Sequence, residues 1–243
     1  MTENSVNVII PIYKPPTLWE DSLVQHMGTL IQLYPQYKFS FIIVNDGTRN
    51  LSFNRLNDLC KKLKIQYISM DLKTNKGKGS ALREGLKRHT ADYYICVDWD
   101  FPFGVIPIGE ILETLKKGPD VVLIDRGKDY PSKLPIARRF VTNIWRFYLK
   151  RVLDLNVPDT QAGLKGVNDK GKSAFVSTKI STYLCDVEFF YSCLENNLSI
   201  EYLQTTARPG IHFVNFSLKA YYKELKSYIF FMSFIRKKGK IYS

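Results

Sequence analysis

The chain has 243 residues, 45% of them apolar and 24% charged, an ordinary globular balance long enough for one large domain or a domain with an appended tail. No stretch approaches the run of about 20 apolar residues that spans a bilayer, and the first residues lack a basic segment followed by a long apolar one, so neither a membrane span nor a signal peptide is expected. A formal charge of +12 implies an anionic partner, be it nucleic acid, anionic lipid headgroups or a phosphorylated substrate.

In chain order, Val6–Ile12 reads as a strand, about Leu18–Tyr34 as a helix, and Phe39–Val44 as a second strand. A helix follows over Leu51–Leu63, then a short strand Ile65–Met70 and a helix Gly77–His89. The strand Tyr93–Val97 leads into Asp98-Trp99-Asp100, and Val121–Ile124 is another strand. Ile136–Leu153 and Tyr183–Asn196 have helical spacing, and Ile200–Leu203 is a strand. Strands alternating with helices of this length argue for βαβ units and a mostly parallel sheet flanked by helices. No repeat or low-complexity linker appears, and the expected division is a domain over 1–216 with a tail over 217–243.

The tail places Leu218, Tyr221, Tyr222, Leu225, Ile229, Met232 and Ile235 at helical intervals, with Lys219, Lys223 and Lys226 between them and Arg236-Lys-Lys-Gly-Lys240 at the end. A basic amphipathic helix of this kind suits an anionic membrane surface. It equally suits a helix packed on a core with a solvated lysine face. A second basic cluster, Lys133 to Arg151, has the same character. The cysteines Cys60, Cys96, Cys185 and Cys193 lack C-x-x-C spacing and read as free thiols, and His26, His89 and His212 form no metal-ligand pair.

Four loops carry the chemistry. An apolar strand that delivers Asp98 and Asp100 at its carboxyl end places two carboxylates at the sheet edge where open α/β folds bind ligands. If the segment stays extended, both point one way and reach a single Mg2+ or Mn2+, ions that favour one or two carboxylates plus phosphate oxygens. After the first strand, Pro11 interrupts the ladder and Tyr13 offers a ring for stacking. After the second, Asp46 can accept hydrogen bonds from a base edge and Gly47 permits positive φ. Asn75-Lys-Gly-Lys-Gly-Ser80 is a glycine-rich turn opening a helix, suited to phosphate, with Lys76 or Lys78 adding charge. It lacks P-loop spacing, and no G-x-G-x-x-G follows the first strand.

Together Ile10-Pro-Ile-Tyr13, Val44-Asn-Asp-Gly-Thr48, Asn75–Gly79, Asp98-Trp-Asp100, Pro158-Asp-Thr-Gln-Ala-Gly-Leu-Lys165 and Cys185-Asp-Val-Glu-Phe-Phe190 resemble the family 2 nucleotide-sugar glycosyltransferases, over about residues 6–210. Within them the chain looks most like the polyprenyl-phosphate (dolichyl-phosphate) glucosyl- and mannosyltransferases. The resemblance implies a GT-A, Rossmann-like α/β fold and a nucleoside-diphosphate sugar donor. It implies that Pro11, Tyr13 and Asp46 hold the base, that Lys76 or Lys78 lies near the nucleotide, and that Asp98 lies near ribose and metal. Asp100 would be the main metal ligand. Arg126 matches a basic position near the donor diphosphate, Arg138 one that meets the acceptor phosphate, and Arg208 one on a closing loop. Asp159 and Gln161 would face the donor sugar. Three positions depart from the pattern. Asn45 replaces the usual first Asp of its loop, Lys14 stands where Asn is common, and the bulky Trp99 either reshapes the sugar pocket or points into the core.

The implied reaction is inverting attack of an acceptor oxygen on the anomeric carbon, with the nucleoside diphosphate leaving. A polyprenyl phosphate is already ionised and needs a cationic seat, whereas a glycan hydroxyl, as in capsule or lipopolysaccharide assembly, needs a base, for which Asp186 or Glu188 is the candidate. A polyprenyl-phosphate acceptor would place the enzyme in the cytoplasm, peripheral on the inner membrane face. A basic nucleic-acid-binding protein is the non-enzyme alternative, disfavoured because no recognised module is present and the carboxylate pair would repel phosphates without a metal, so nucleic acid is not an expected partner.

Overall fold

The computed structural model describes residues 3–127, 162–208 and 218–238, with side chains in the last segment described over 222–233. Among the described residues, seven strands form one sheet in the order β3-β2-β1-β4-β6-β5-β7. They are β1 (Asn4–Ile12), β2 (Tyr37–Asn45), β3 (Tyr67–Asp71), β4 (Tyr93–Cys96), β5 (Val121–Asp125), β6 (Lys165–Val167) and β7 (Ile200–Gln204). The helices are α1 (Trp19–Leu33), α2 (Asn54–Leu63), α3 (Lys78–Leu86), α4 (Ile106–Leu115), α5 (Asp169–Val176), α6 (Cys185–Glu195) and α7 (Leu218–Lys238). The expected helix over 136–153 lies outside the described residues.

β1 lies inside the sheet because it is apolar from Val8 onward: Val8, Ile10 and Ile12 face one side of the sheet and Ile9 the other, all buried. The first side packs on α1, α2 and α4, and the second on α3, α5 and α6. Pro11 is tolerated because the ladder to β4 stops at the Ile9–Cys96 pair, so its missing N–H falls past that pairing. Every strand pairing is parallel except those of β6, which runs antiparallel to β4 and β5. The carboxyl ends of β1, β2, β4 and β5 therefore share one edge with the amino end of β6. The strand order reverses direction beside β1, so that edge carries the crevice that open α/β sheets offer to ligands.

Three elements escaped the sequence reading: α4, β6 and α5. In α4, Pro107 and Gly109 look like breakers, but Pro107 lies in the first turn, where its missing N–H is no loss. Gly109 is required because the Tyr34 ring lies over it, about 2 Å from where a Cβ would stand. The three residues of β6 are too few to show a period. Their pairing to β4 and β5 makes them a strand.

The tail helix is not a free appendage. Phe231 is fully buried, edge-on to Tyr191 at 5.8 Å, and Tyr228 and Met232 pack beside it on the second core. Tyr222, Leu225, Ile229 and Phe230 are exposed. The apolar stripe that the sequence groups on one face is thus divided, with Met232 turned inward and Leu225 and Ile229 outward.

Candidate active site

The site starts at two loops locked by one carboxylate. Asp46 follows β2, and its backbone N–H donates to Ile12 O at 2.8 Å, tying it to the end of β1. Its Oδ1 accepts the Lys76 N–H at 2.7 Å, and its Oδ2 accepts Gly77 N–H and Asn75 Nδ2, both at 2.9 Å. Burial pushes this carboxyl above its ordinary range, opposed by those backbone donors and by the charges of Lys223 and Lys76. Glycine is needed on both sides of the lock. Gly47 has φ +74° and lies against the Asn75 backbone, while Gly77 has φ +102° and a Cβ there would stand 2.3 Å from Ser181 O.

The sequence assigned Asp46 to a base edge. The structure shows it 3% exposed and shaping the phosphate-suited loop. Asp46→Ala is therefore expected to strip three partners from the loop. Loss of charge-assisted bonds worth about 1.5–3 kcal/mol predicts nucleoside diphosphate binding roughly ten- to a hundredfold weaker by calorimetry. Unchanged affinity would show that the loop keeps its shape without it.

Asn45 explains its own departure from the family pattern. Its Oδ1 accepts Thr48 N–H at 2.9 Å while Nδ2 donates to Thr48 O and to Asp71 Oδ1 at 2.8 Å. An aspartate could make the first bond only and would face Asp71 with like charge. Thr48 Oγ1 in turn accepts the N–H of Lys14, whose ammonium lies 5.4 Å from the centroid of the exposed Tyr13 ring. Lys14 takes a positive φ of 46°, a conformation in which Asn is at ease, which accounts for Asn being common there.

β4 ends at Cys96, and Asp98–Asp100 form a turn closed by Phe101 N–H to Asp98 O at 2.9 Å. The extended alternation expected of the two carboxylates is therefore replaced by a turn. Trp99 packs against the first core, which settles its direction. Phe101 is fully buried at φ 43° and stacks on His26 at 4.9 Å, fixing the turn from below. Asp98 Oδ1 pairs with Lys78 Nζ at 2.5 Å, and its Oδ2 lies where a Cβ on Gly163 would stand. Burial works against the charge on Lys78, but Asp98 and Asp186 more than offset it and hold the ammonium protonated. Asp100 is pushed above the ordinary carboxylate range, first by burial and then by the charge of Asp98.

Arg208 Nη2 donates to the Asp100 carbonyl at 2.5 Å, and the Arg208 N–H donates to Pro102 O, so Arg208 lies against this turn. Lys76 is exposed in the Asn75–Ser80 loop, and Arg126 follows the last residue of β5 at the same sheet edge. Arg138, Asp159 and Gln161 lie outside the described residues. A divalent cation fits what is present: two hard oxygen donors in one turn, one of them raised by its neighbour's charge, a repulsion that a metal relieves. Among the described residues no group of three or more His, Cys, Asp or Glu could hold a metal.

The candidate bases are already occupied. Asp186 pairs with Lys165 in the core, both almost fully buried. Glu188 accepts the N–H groups of Lys179 at 2.9 Å and Ile180 at 2.6 Å. Lys165 was visible in the sequence as part of a motif, but nothing marked it as the buried partner of Asp186.

The sequence profile described as glycosyl transferase family 2 matches residues 7–171, well over half the chain. The chain belongs to glycosyl transferase family 2. Asp46, Lys78, Asp98 and Asp100 all lie within the matched region. The chain is 22% identical over 209 residues to a dolichyl-phosphate beta-glucosyltransferase of Dictyostelium discoideum, covering 80% of this chain and 64% of that protein. It is 26% identical over 136 residues to an undecaprenyl-phosphate 4-deoxy-4-formamido-L-arabinose transferase of Pseudomonas fluorescens, covering 53% of this chain and 39% of the relative. The chain thus spans less than two thirds of the length of these relatives. Among solved structures, glucosyl-3-phosphoglycerate synthase of Mycobacterium tuberculosis, in complex with Mn2+, UDP and glucosyl-3-phosphoglycerate, superposes with a TM-score of 0.61 at 14% identity, covering 92% of this chain and 79% of that one. The likeness extends to the seven-stranded α/β sheet flanked by helices, the architecture of GT-A glycosyltransferases.

Proposed function

We propose that this glycosyltransferase moves a hexose, with inversion, from a nucleoside-diphosphate sugar to a polyprenyl phosphate at a membrane surface. The observation that carries the choice of acceptor is the state of Asp186 and Glu188. A sugar hydroxyl must lose a proton as it attacks, and both carboxylates suggested for that task are committed, one to Lys165 and one to backbone N–H groups. A phosphate acceptor is already ionised near neutral pH and requires only orientation and a cation.

In this reading Asp46 holds the Asn75–Gly77 loop against the nucleotide, Tyr13 lies at the mouth as a stacking platform, and Lys78 keeps Asp98 fixed. Arg208 holds the Asp100 turn through its carbonyl. A Mg2+ or Mn2+ bound at Asp100, with Asp98 beside it, supplies positive charge to the departing diphosphate. Arg126 adds cationic charge near the diphosphate, and Arg138 seats the acceptor phosphate. Asp159 and Gln161 face the transferred sugar.

The relatives named for dolichyl- and undecaprenyl-phosphate support the acceptor class. The metal is supported by the Mn2+ in the solved complex and by the Asp98–Asp100 turn. The test is a panel of UDP- and GDP-sugars with a short polyprenyl phosphate, with and without Mn2+, read as nucleoside diphosphate release. Release that depends on a glycan acceptor and ignores the lipid phosphate would overturn the acceptor.

Among the described residues no helix is long and apolar enough to cross a membrane. Peripheral binding on the cytoplasmic face fits the exposed side of α7, where Tyr222, Leu225, Ile229 and Phe230 stand with Lys223 and Lys226. The triple variant Tyr222→Ser, Leu225→Ser, Ile229→Ser is expected to lose most co-sedimentation with anionic vesicles. Each exposed side chain inserted into the interface contributes on the order of 1 kcal/mol and each cation about as much. Vesicle binding indifferent to both this variant and high salt would remove the membrane assignment. Deleting the helix is the wrong test, because Phe231 belongs to the core.

A further inference from the structure

The tail helix reaches the donor loop through an unbroken series of contacts. Glu224 Oε1 accepts the Tyr183 N–H at 2.9 Å, and Oε2 accepts the Thr182 hydroxyl at 3.0 Å. The residue before them, Ser181, receives the Gly79 N–H on its carbonyl at 2.9 Å and the Ser80 hydroxyl on its Oγ at 2.8 Å. Arg83 binds the same strip, donating to Thr178 Oγ1 at 3.0 Å and Ile180 O at 2.7 Å. Gly77 presses on the Ser181 carbonyl so closely that no Cβ fits, and the Gly77 N–H is one of those held by Asp46. From Glu224 to Asp46, each member touches the next at hydrogen-bond or van der Waals distance, with no slack at Gly77.

We propose that Glu224 is a positioning residue for the donor nucleotide, with α7 acting as a brace behind the loop Asn75–Ser80. The assignment rests on the nucleotide-sugar reading above and adds to it a residue from a segment that the sequence placed outside the catalytic domain. Two features make α7 a fixed support. Tyr228 and Phe231 anchor it in the core one and two turns beyond Glu224, and Glu224 lies at the point where α7 meets the 181–183 strip. A carboxylate suits the position because it accepts two donors at once, one from the backbone and one from a hydroxyl. An amide of the same size could still accept the Tyr183 N–H and donate to the Thr182 hydroxyl, so the informative change is Glu224→Met, which keeps the length of the side chain and forfeits both bonds. Thr182→Val removes one partner by a substitution of similar volume that leaves α7 untouched.

Two measurements on the full chain test the brace. Hydrogen–deuterium exchange reads the loop directly: Glu224→Met and Thr182→Val are each expected to speed exchange severalfold at the amides of Lys76, Gly77 and Gly79, leaving β1 and β4 protected. Calorimetry with UDP and GDP in the presence of Mn2+ reads the consequence. Loss of a bond to a charged acceptor predicts roughly ten- to a hundredfold weaker binding, and the double variant should be little worse than the weaker-binding single. A role confined to fastening α7 would lower the melting temperature without changing exchange in the 76–79 amides or nucleotide affinity, and that result would overturn the proposal. Unchanged loop exchange in both variants would also overturn it, whatever the protein binds. A wild-type protein that binds neither UDP nor GDP would instead refute the donor reading on which the proposal rests.

Discussion

Asp100→Ala is expected to abolish sugar transfer, by roughly a thousandfold or more, the scale at which a lost electrostatic stabiliser of the departing group acts. The melting temperature should stay within a few degrees of the wild type. Asp100 carries its charge at a cost in the resting protein, since burial and the neighbouring Asp98 both disfavour its ionised form. Removing the carboxylate therefore relieves repulsion. What Asp100 contributes to the turn is its backbone carbonyl, which accepts from Arg208 and survives in alanine. Chelation of the wild-type protein should reproduce the loss. Near-normal, chelator-resistant nucleoside diphosphate release by Asp100→Ala would sink the metal assignment.

Asp186→Ala is expected to act on stability. It leaves the Lys165 ammonium, 1% exposed, without its partner in the core. Stranding one half of a buried pair costs about 3–5 kcal/mol, which in a chain of this size lowers the melting temperature by roughly 10 °C or more. The double variant Lys165→Met, Asp186→Leu removes both charges and should recover most of that stability, because a packed apolar pair needs no desolvation of ions. The same double variant decides the chemistry. Sugar transfer to a polyprenyl phosphate that persists in it shows that Asp186 is not a general base, while a folded protein that binds nucleotide normally yet no longer turns over would restore that role. Lys78 also feels the charge of Asp186, so some weakening of the Asp98 site is expected in either variant.

The sequence by itself determined the alternating α/β order, the strands that end in the site loops, and the set of loops that carry the chemistry. Strands such as Val6–Ile12 and Phe39–Val44 are apolar but for Asn7 and Ser40, and a doubly covered sheet buries such segments. The Gly47 and Gly77 turns were legible because positive φ excludes most other residues. The tertiary structure decided which partner each polar side chain takes. Asp46 looks in sequence like a ligand for a base, and only the return of the Asn75 loop to β2 reveals the three donors that claim it. Asp186 and Glu188 look like bases until β6 brings Lys165 and the 178–181 strip brings its N–H groups. The short β6, the glycine-bearing α4 and the inward turn of Phe231 were equally illegible. Local propensity covers a few residues, whereas a hydrogen bond, a buried ion pair or a shared core depends on segments brought together from as far as a hundred residues apart, as Arg208 and Asp100 are.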